Sequence, residues 1–195
     1  MVMEVEQKFP VSGFDKIETE LAALGTAATE VRTEADLYFA HPARDYASTD
    51  EALRIRHADG GDYLTYKGPK IDATTKTRRE IELPLGCEEA HSAAWRDLLE
   101  SLGFRAVAEV RKRRRKAWVP WEGRSVEVSL DEVEEVGTFV ELELVSEMPE
   151  VESARECIAS LAARLGLSKS ERRSYLELLL ERRSRAVEEM GTGYE

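Results

Sequence analysis

The segment Glu4-Val5-Glu6-Gln7-Lys8 opens a pattern that returns through most of the chain. Charged residues of both signs alternate with apolar ones, as in Arg54-Ile55-Arg56, Arg78-Arg79-Glu80-Ile81-Glu82, Lys112-Arg113-Arg114 and Glu141-Leu142-Glu143. Successive side chains of a strand point to opposite faces, so residues at i and i+2 share one face. One such strand is a half-solvated edge. Five or more describe a sheet with a whole face given over to charge, which an ordinary packed barrel or sandwich does not need. Carboxylates and cations together on that face suit a polyanion held with divalent metal ions.

Strand-like runs cover Val2 to Phe9, Leu37–Phe39, Leu53–His57, Tyr63–Lys67 and Thr77–Leu83, then Ala106 to Val119, Ser125–Leu130 and Thr138–Val145. Asp59-Gly60-Gly61 and Glu122-Gly123 each separate two of these runs, as hairpins require. Helical spacing joins Phe14, Ile17, Leu21 and Leu24, with Ser12 as N-cap and Gly25 as stop. Trp95, Leu98, Leu99 and Leu102 make a second helix ending at Gly103, and Val151, Ala154, Ile158, Leu161 and Leu165 a third ending at Gly166. A last helix begins near Ser170 with Tyr175, Leu178 and Leu179 on its apolar side. Short, evenly spaced strands of this kind predict an α+β chain in which an antiparallel sheet closes into a barrel with helices outside. No linker rich in Pro, Gly or Ser interrupts it, so residues 1–190 read as one domain and 191–195 as a frayed tail.

Composition excludes several classes. A net charge of −11 over 195 residues argues against general nucleic-acid binding, so any anion site must be local and enclosed. Cys87 and Cys157 are too few for a disulfide framework, and His41, His57 and His91 lie in unrelated segments, which argues against a zinc site. No apolar run approaches the roughly 20 residues of a membrane span, and a reducing cytoplasm is the expected location. Trp95, Trp118, Trp121 and the run Leu176–Leu180 serve a core better than a dimer contact, which leaves a homodimer open.

On strands the charges sort themselves. Glu4, Glu6 and Lys8 share a face, and carboxylates two apart sit roughly 6–7 Å from one another, a spacing that lets them share hydrated divalent cations. The basic run 111–116 splits into Lys112, Arg114 and Lys116 on one side and Arg111, Arg113 and Arg115 on the other. The inward set then has seven cations, Lys8, Arg54, Arg56, Lys67, Arg78, Lys112 and Arg114, and seven anions, Glu4, Glu6, Glu80, Glu82, Asp131, Glu141 and Glu143. Arginine forks and lysine point charges both match phosphate oxygens. A balanced, water-filled lumen avoids the several kcal/mol that each isolated buried charge costs.

The same residues carry a family resemblance over almost the whole chain. Glu4-x-Glu6-x-Lys8, Asp36-Leu37-Tyr38-Phe39, Arg54-x-Arg56, Tyr66-Lys67-Gly68-Pro69, Arg78-x-Glu80-x-Glu82, Lys112-x-Arg114, Leu130-Asp131, Gly137 and Glu141-x-Glu143 resemble the ordered motifs of the CYTH superfamily. These are the triphosphate tunnel metalloenzymes, among them class IV adenylyl cyclases and thiamine triphosphatases. Arg173-Ser174-Tyr175 with Leu178-Leu179 is similar to the C-terminal signature of the cyclase branch. The resemblance implies an eight-stranded antiparallel tunnel. It also implies Mg²⁺ or Mn²⁺, as two ions, on Glu4, Glu6, Asp131, Glu141 and Glu143, and a small-molecule triphosphate on the seven cations. Conversion of ATP to cyclic AMP and pyrophosphate is the leading expectation. Hydrolysis of thiamine triphosphate, a nucleoside triphosphate or tripolyphosphate is the alternative, and non-catalytic polyphosphate binding a third. No side chain is assigned as a dedicated base.

Overall fold

The computed structural model describes residues 2–69, 77–86 and 89–191; Cys87 and residues 192–195 of the expected tail lie outside them. The chain runs β1 (Val2–Val11), α1 (Asp15–Ala23), β2 (Arg32–Ala40), α2 (Tyr46–Thr49), β3 (Ala52–Ala58), β4 (Gly61–Lys67), β5 (Glu80–Gly86), α3 (Glu89–Ser101), β6 (Arg105–Trp121), β7 (Arg124–Val133), β8 (Gly137–Glu147), α4 (Val151–Arg164) and α5 (Tyr175–Gly191). All eight expected strands form, most of them a few residues longer than their apolar cores.

The strands build one antiparallel sheet in the order β1-β8-β7-β6-β2-β3-β4-β5. Two-residue loops join β3 to β4 and β6 to β7; in the second, Glu122 (φ 48°) and Gly123 (φ 76°) both adopt the left-handed region that a tight hairpin turn needs. The sheet curls until β1 meets the residue two before β5. Glu4 N–H donates to the Arg78 carbonyl at 3.1 Å and Arg78 N–H to the Glu4 carbonyl at 3.2 Å. Among the described residues this single bridge is the backbone contact between the two edges. The closed barrel expected from sequence is thus met as a curled eight-stranded sheet, with full pairing along seven seams and one bridge at the eighth.

The two faces differ in chemistry, as alternation demands. On the outer face Met3, Val5, Phe9, Val119, Val126, Val128 and Leu142 pack against Ile17 and Leu21 of α1 and Ile158, Leu161 and Leu165 of α4. Full burial of each such side chain contributes roughly 1.5–3 kcal/mol. A second outer cluster sets Phe39, Leu53, Ile55 and Leu85 against Leu99 of α3. The third cluster lies on the charged face: Tyr38, Val110, Val133 and Phe139 receive Tyr175 and Leu179, so α5 stoppers one end of the curl.

Three local expectations change. α1 starts after Phe14, which offers no side-chain cap, and not from Ser12. α5 starts at Tyr175, five residues after Ser170, because Ser174 and Glu177 form a reciprocal cap: Glu177 N–H donates to Ser174 Oγ at 3.1 Å and Ser174 N–H to Glu177 Oε2 at 2.5 Å. Trp118 is 48% exposed, whereas Trp121 is anchored through its indole N–H on Ser160 Oγ at 3.2 Å. No helix among the described residues is long and apolar enough to cross a membrane.

Candidate active site

The charged face encloses a cavity of about 900 Å³. Lys8 of β1, Arg54 and Arg56 of β3, Lys67 of β4, Arg78 at the bridge, and Lys112 and Arg114 of β6 all line it. Glu4, Glu6, Glu80, Glu82, Glu141 and Glu143 line it too. The alternation that places them there is visible on β6, where Lys112 and Arg114 are buried while Arg111 and Arg113 face solvent beside Glu109 and Glu132. Strand register fixes which charges meet: Glu6 stands opposite Glu143 and Lys8 opposite Glu141.

Two carboxylates that sequence reasoning did not place in the site hold the cations in position. Asp36 of β2, 1% exposed, accepts from Arg54 Nη1 at 3.1 Å, from Arg56 Nε and Nη2 at 2.7 and 2.9 Å, and from Lys112 Nζ at 3.2 Å. Glu34, two residues earlier on the same face, meets Lys112 Nζ at 2.9 Å and Arg56 Nη2 at 3.3 Å. Burial alone would raise both carboxyls. For Asp36 the charges of Arg54, Lys112 and Arg56, and for Glu34 those of Lys112, Arg114 and Arg56, outweigh it and hold both well below the ordinary carboxylate range. The signal was present in the sequence, since Glu34-x-Asp36-x-Tyr38 repeats the alternation of the other strands.

Asp131, expected among the metal ligands, does not line the cavity. It is fully buried behind Arg114, taking Nε at 2.6 Å and Nη2 at 2.5 Å in a two-pronged grip, and its second oxygen also accepts from the Tyr175 hydroxyl at 2.8 Å. Its position opposite Arg114 on the β6–β7 ladder assigns it to orienting that guanidinium. Burial, with the charges of Glu141 and Asp131, raises the Tyr175 phenol well above its usual value and keeps it a donor.

The carboxylates facing the cavity fall into two states. Glu4 and Glu80 both engage Lys67, with Glu4 oxygens at 3.0 and 2.9 Å from the ammonium. Burial of Glu80 is outweighed by hydrogen bonding with Glu4 and by Lys67 and Arg54, so its carboxyl is held at about 2. Glu143 behaves oppositely. Burial first, then the neighbouring Glu4, push it up to about 8, and Glu127 and Glu6 push the same way. A divalent cation fits this crowd: the donors are hard oxygens, and positive charge would offset the repulsion that adds to burial in raising the Glu143 carboxyl. Glu4, Glu6, Glu141 and Glu143 are the residues that would hold it. Among the described residues no three carboxylates converge into a ready-made cage.

Arg54 Nε and Arg78 Nε are buried donors with no hydrogen-bond partner among the described residues. Such donors are costly unless something accepts from them, and both arginines belong to the cavity lining. Towards α5 the lining changes character, with Tyr46, Val107, Leu176 and Leu180 beside Arg44 and Arg105.

The chain is similar to known proteins along most of its length. The CYTH domain family matches residues 3–175. A Methanocaldococcus jannaschii protein bearing the name of a candidate adenylate cyclase is 38% identical over 180 residues, covering 91% of this chain and 98% of that protein. A Pyrococcus horikoshii protein of solved structure is 43% identical with a TM-score of 0.79, over 91% of this chain and 98% of its own. A Hippeastrum protein, described as a candidate adenylyl cyclase with a dominant triphosphatase activity, shares the fold at 20% identity and a TM-score of 0.64, over 93% and 96% of the two chains. On the family match and these nearly full-length relatives, the chain belongs to the CYTH family.

Proposed function

We propose that the chain is a divalent-metal-dependent enzyme that binds a small-molecule triphosphate in the charged cavity and, with ATP, forms cyclic AMP and pyrophosphate. The observation that carries this reading is the cavity lining itself: the seven cations expected from sequence, together with Arg44, Arg105 and Lys116, face carboxylates that crowd one another. The name of the Methanocaldococcus jannaschii relative supports the cyclase direction.

Arg54, Arg56 and Arg78 would grip phosphate oxygens through planar forks, and Lys8, Lys67 and Lys112 would add point charges. Asp36, Glu34 and Asp131 hold Arg54, Arg56, Lys112 and Arg114 before the substrate arrives, so less ordering is required on binding. In cyclisation the ribose 3′-oxygen forms a bond to the α-phosphorus. The bond from that phosphorus to the α–β bridging oxygen breaks, and pyrophosphate leaves with the electron pair. The 3′-hydroxyl proton passes to solvent. Negative charge grows on the departing pyrophosphate, where the Arg and Lys set stabilises it. Mg²⁺ or Mn²⁺, when bound, supplies Lewis-acid stabilisation of the phosphate oxygens.

Hydrolysis of the terminal phosphate is the second reading. The same grip serves it, and the Hippeastrum relative of this fold is described by that activity. Incubation of purified protein with ATP and Mg²⁺ or Mn²⁺, with separation of cyclic AMP, ADP and phosphates, decides between them. Cyclic AMP with pyrophosphate supports the cyclase; orthophosphate alone makes it a hydrolase. If neither appears, thiamine triphosphate and tripolyphosphate come next, and no product from any of them leaves a binding module. Glu6→Gln and Glu143→Gln are expected to lose metal-dependent turnover while folding normally, and full activity in both removes the metal role.

A further inference from the structure

Lys8 is held from three directions by one short segment. Glu171 N–H donates to the Lys8 carbonyl at 2.7 Å, the Lys8 ammonium donates to the Arg173 carbonyl, and the same ammonium lies 4.0 Å from the centre of the Tyr175 ring. Tyr175 reaches further. Its ring lies 5.9 Å from the Lys112 ammonium, and its hydroxyl donates to Asp131, whose two oxygens fix the Arg114 fork. Lys8, Lys112 and Arg114, three of the seven cavity cations expected from sequence, therefore take part of their placement from residues 171–175, which enter from the C-terminal end of the chain.

Core packing explains some of this, since the Tyr175 ring also stacks at 5.1 Å on Phe139. Packing does not require the hydroxyl, however. A phenol buried beside Leu179 and Val110 needs a partner, and the one it takes is the carboxylate that orients a cavity arginine.

We propose that Tyr175 is a positioning residue of the phosphate grip: its ring sets Lys8, and its hydroxyl, through Asp131, sets Arg114. This rests on the reading of the cavity as a polyphosphate site. By linkage the effect is reciprocal, so a polyanion that draws on Lys8 and Arg114 tightens the docking of α5.

The test uses calorimetric binding of inorganic tripolyphosphate, in EDTA and again with Mg²⁺. Tyr175→Phe keeps the ring and removes the hydroxyl, and is expected to weaken binding about fivefold to tenfold. In an Arg114→Lys background, which cannot be gripped by two prongs, the same substitution is expected to add almost nothing. Leu161→Ala, in the core on the opposite face, controls for stability: it should lower the melting temperature at least as much and leave affinity unchanged. Wild-type affinity in Tyr175→Phe, or an undiminished effect in the Arg114→Lys background, overturns the positioning role while leaving the polyphosphate reading standing. No binding by the wild type overturns both. Should Tyr175→Phe fail to fold, amide exchange of Leu176–Leu180 in the wild type decides, with slowing on tripolyphosphate addition expected and no change refuting the coupling.

Discussion

Replacing Asp36 by Asn tests whether the grip is built in advance of its ligand. Asp36 is 1% exposed and accepts four hydrogen bonds from Arg54, Arg56 and Lys112, so the change removes one negative charge from among three buried cations. Breaking a buried ion pair costs about 3–5 kcal/mol, and retention of one amide acceptor places this case near about 3 kcal/mol. At about 2–4 °C per kcal/mol for a chain of this size, the melting temperature should fall by roughly 6–12 °C. The deficit has a chemical remedy, because a bound polyanion supplies the missing charge. A ligand at a hundred times its dissociation constant stabilises the wild type by about 2.7 kcal/mol, and the variant should gain more than that at the same ligand concentration, because the charge supplied to three underpaired cations outweighs the extra ordering they then need. Calorimetric melting with and without tripolyphosphate measures both. The pH dependence adds a check. The Asp36 carboxyl is depressed in the fold, so its stabilisation is present at neutral pH and is lost as pH falls from about 4 through the lower folded value. The variant should show a shallower loss in acid. A melting temperature within about 2 °C of the wild type, or a tripolyphosphate shift no larger than the wild type's, would falsify the reasoning.

At pH 7 the Glu143 carboxyl, held at about 8, is protonated, so divalent-ion binding should release a proton. Titration in two buffers of different ionisation enthalpy detects it, and Glu143→Gln should abolish it. Ser174→Ala removes one half of the α5 cap and should cost about 1 kcal/mol, read as a melting shift of about 2–4 °C. Leu161→Ala opens a void in the outer core and should cost about 2–5 kcal/mol in denaturant unfolding.

Most of the site was legible because a two-residue period is a strong geometric statement. Once β6 is a strand, Lys112 and Arg114 cannot face the same way as Arg111 and Arg113, and the structure divides them so. Less legible was the difference between a carboxylate that meets a ligand and one that orients a cation. Asp131 and Glu141 read alike along the chain, and both accept from Arg114 Nη2 at 2.5 Å. Strand register puts Asp131 opposite Arg114, where the Tyr175 hydroxyl adds a third bond, while Glu141 lines the cavity. Asp36 and Glu34 were overlooked for the converse reason: their partners lie on β3 and β6, so their role exists only after the sheet has formed. The start of α5 was also legible in principle: Glu177 stands three residues after Ser174, the capping-box spacing that Ser170, followed by Arg173, lacks.

The seam between β1 and Arg78 has a mechanical consequence. Ten residue pairs bind β1 to β8 on one side, whereas among the described residues one backbone bridge, with the Lys67–Glu4 ion pair, links the opposite side of β1 to the far edge. Glu4, Arg78 and Lys67 are also cavity residues, so the fastening of the hoop and the contents of the cavity draw on the same three side chains. An ion that took Glu4 would leave Lys67 to Glu80 alone and free it from β1, and a phosphate bridging Lys67 and Arg78 would tie the two edges together again through itself. On the proposed reading, hoop strength along this seam would depend on what the vessel carries.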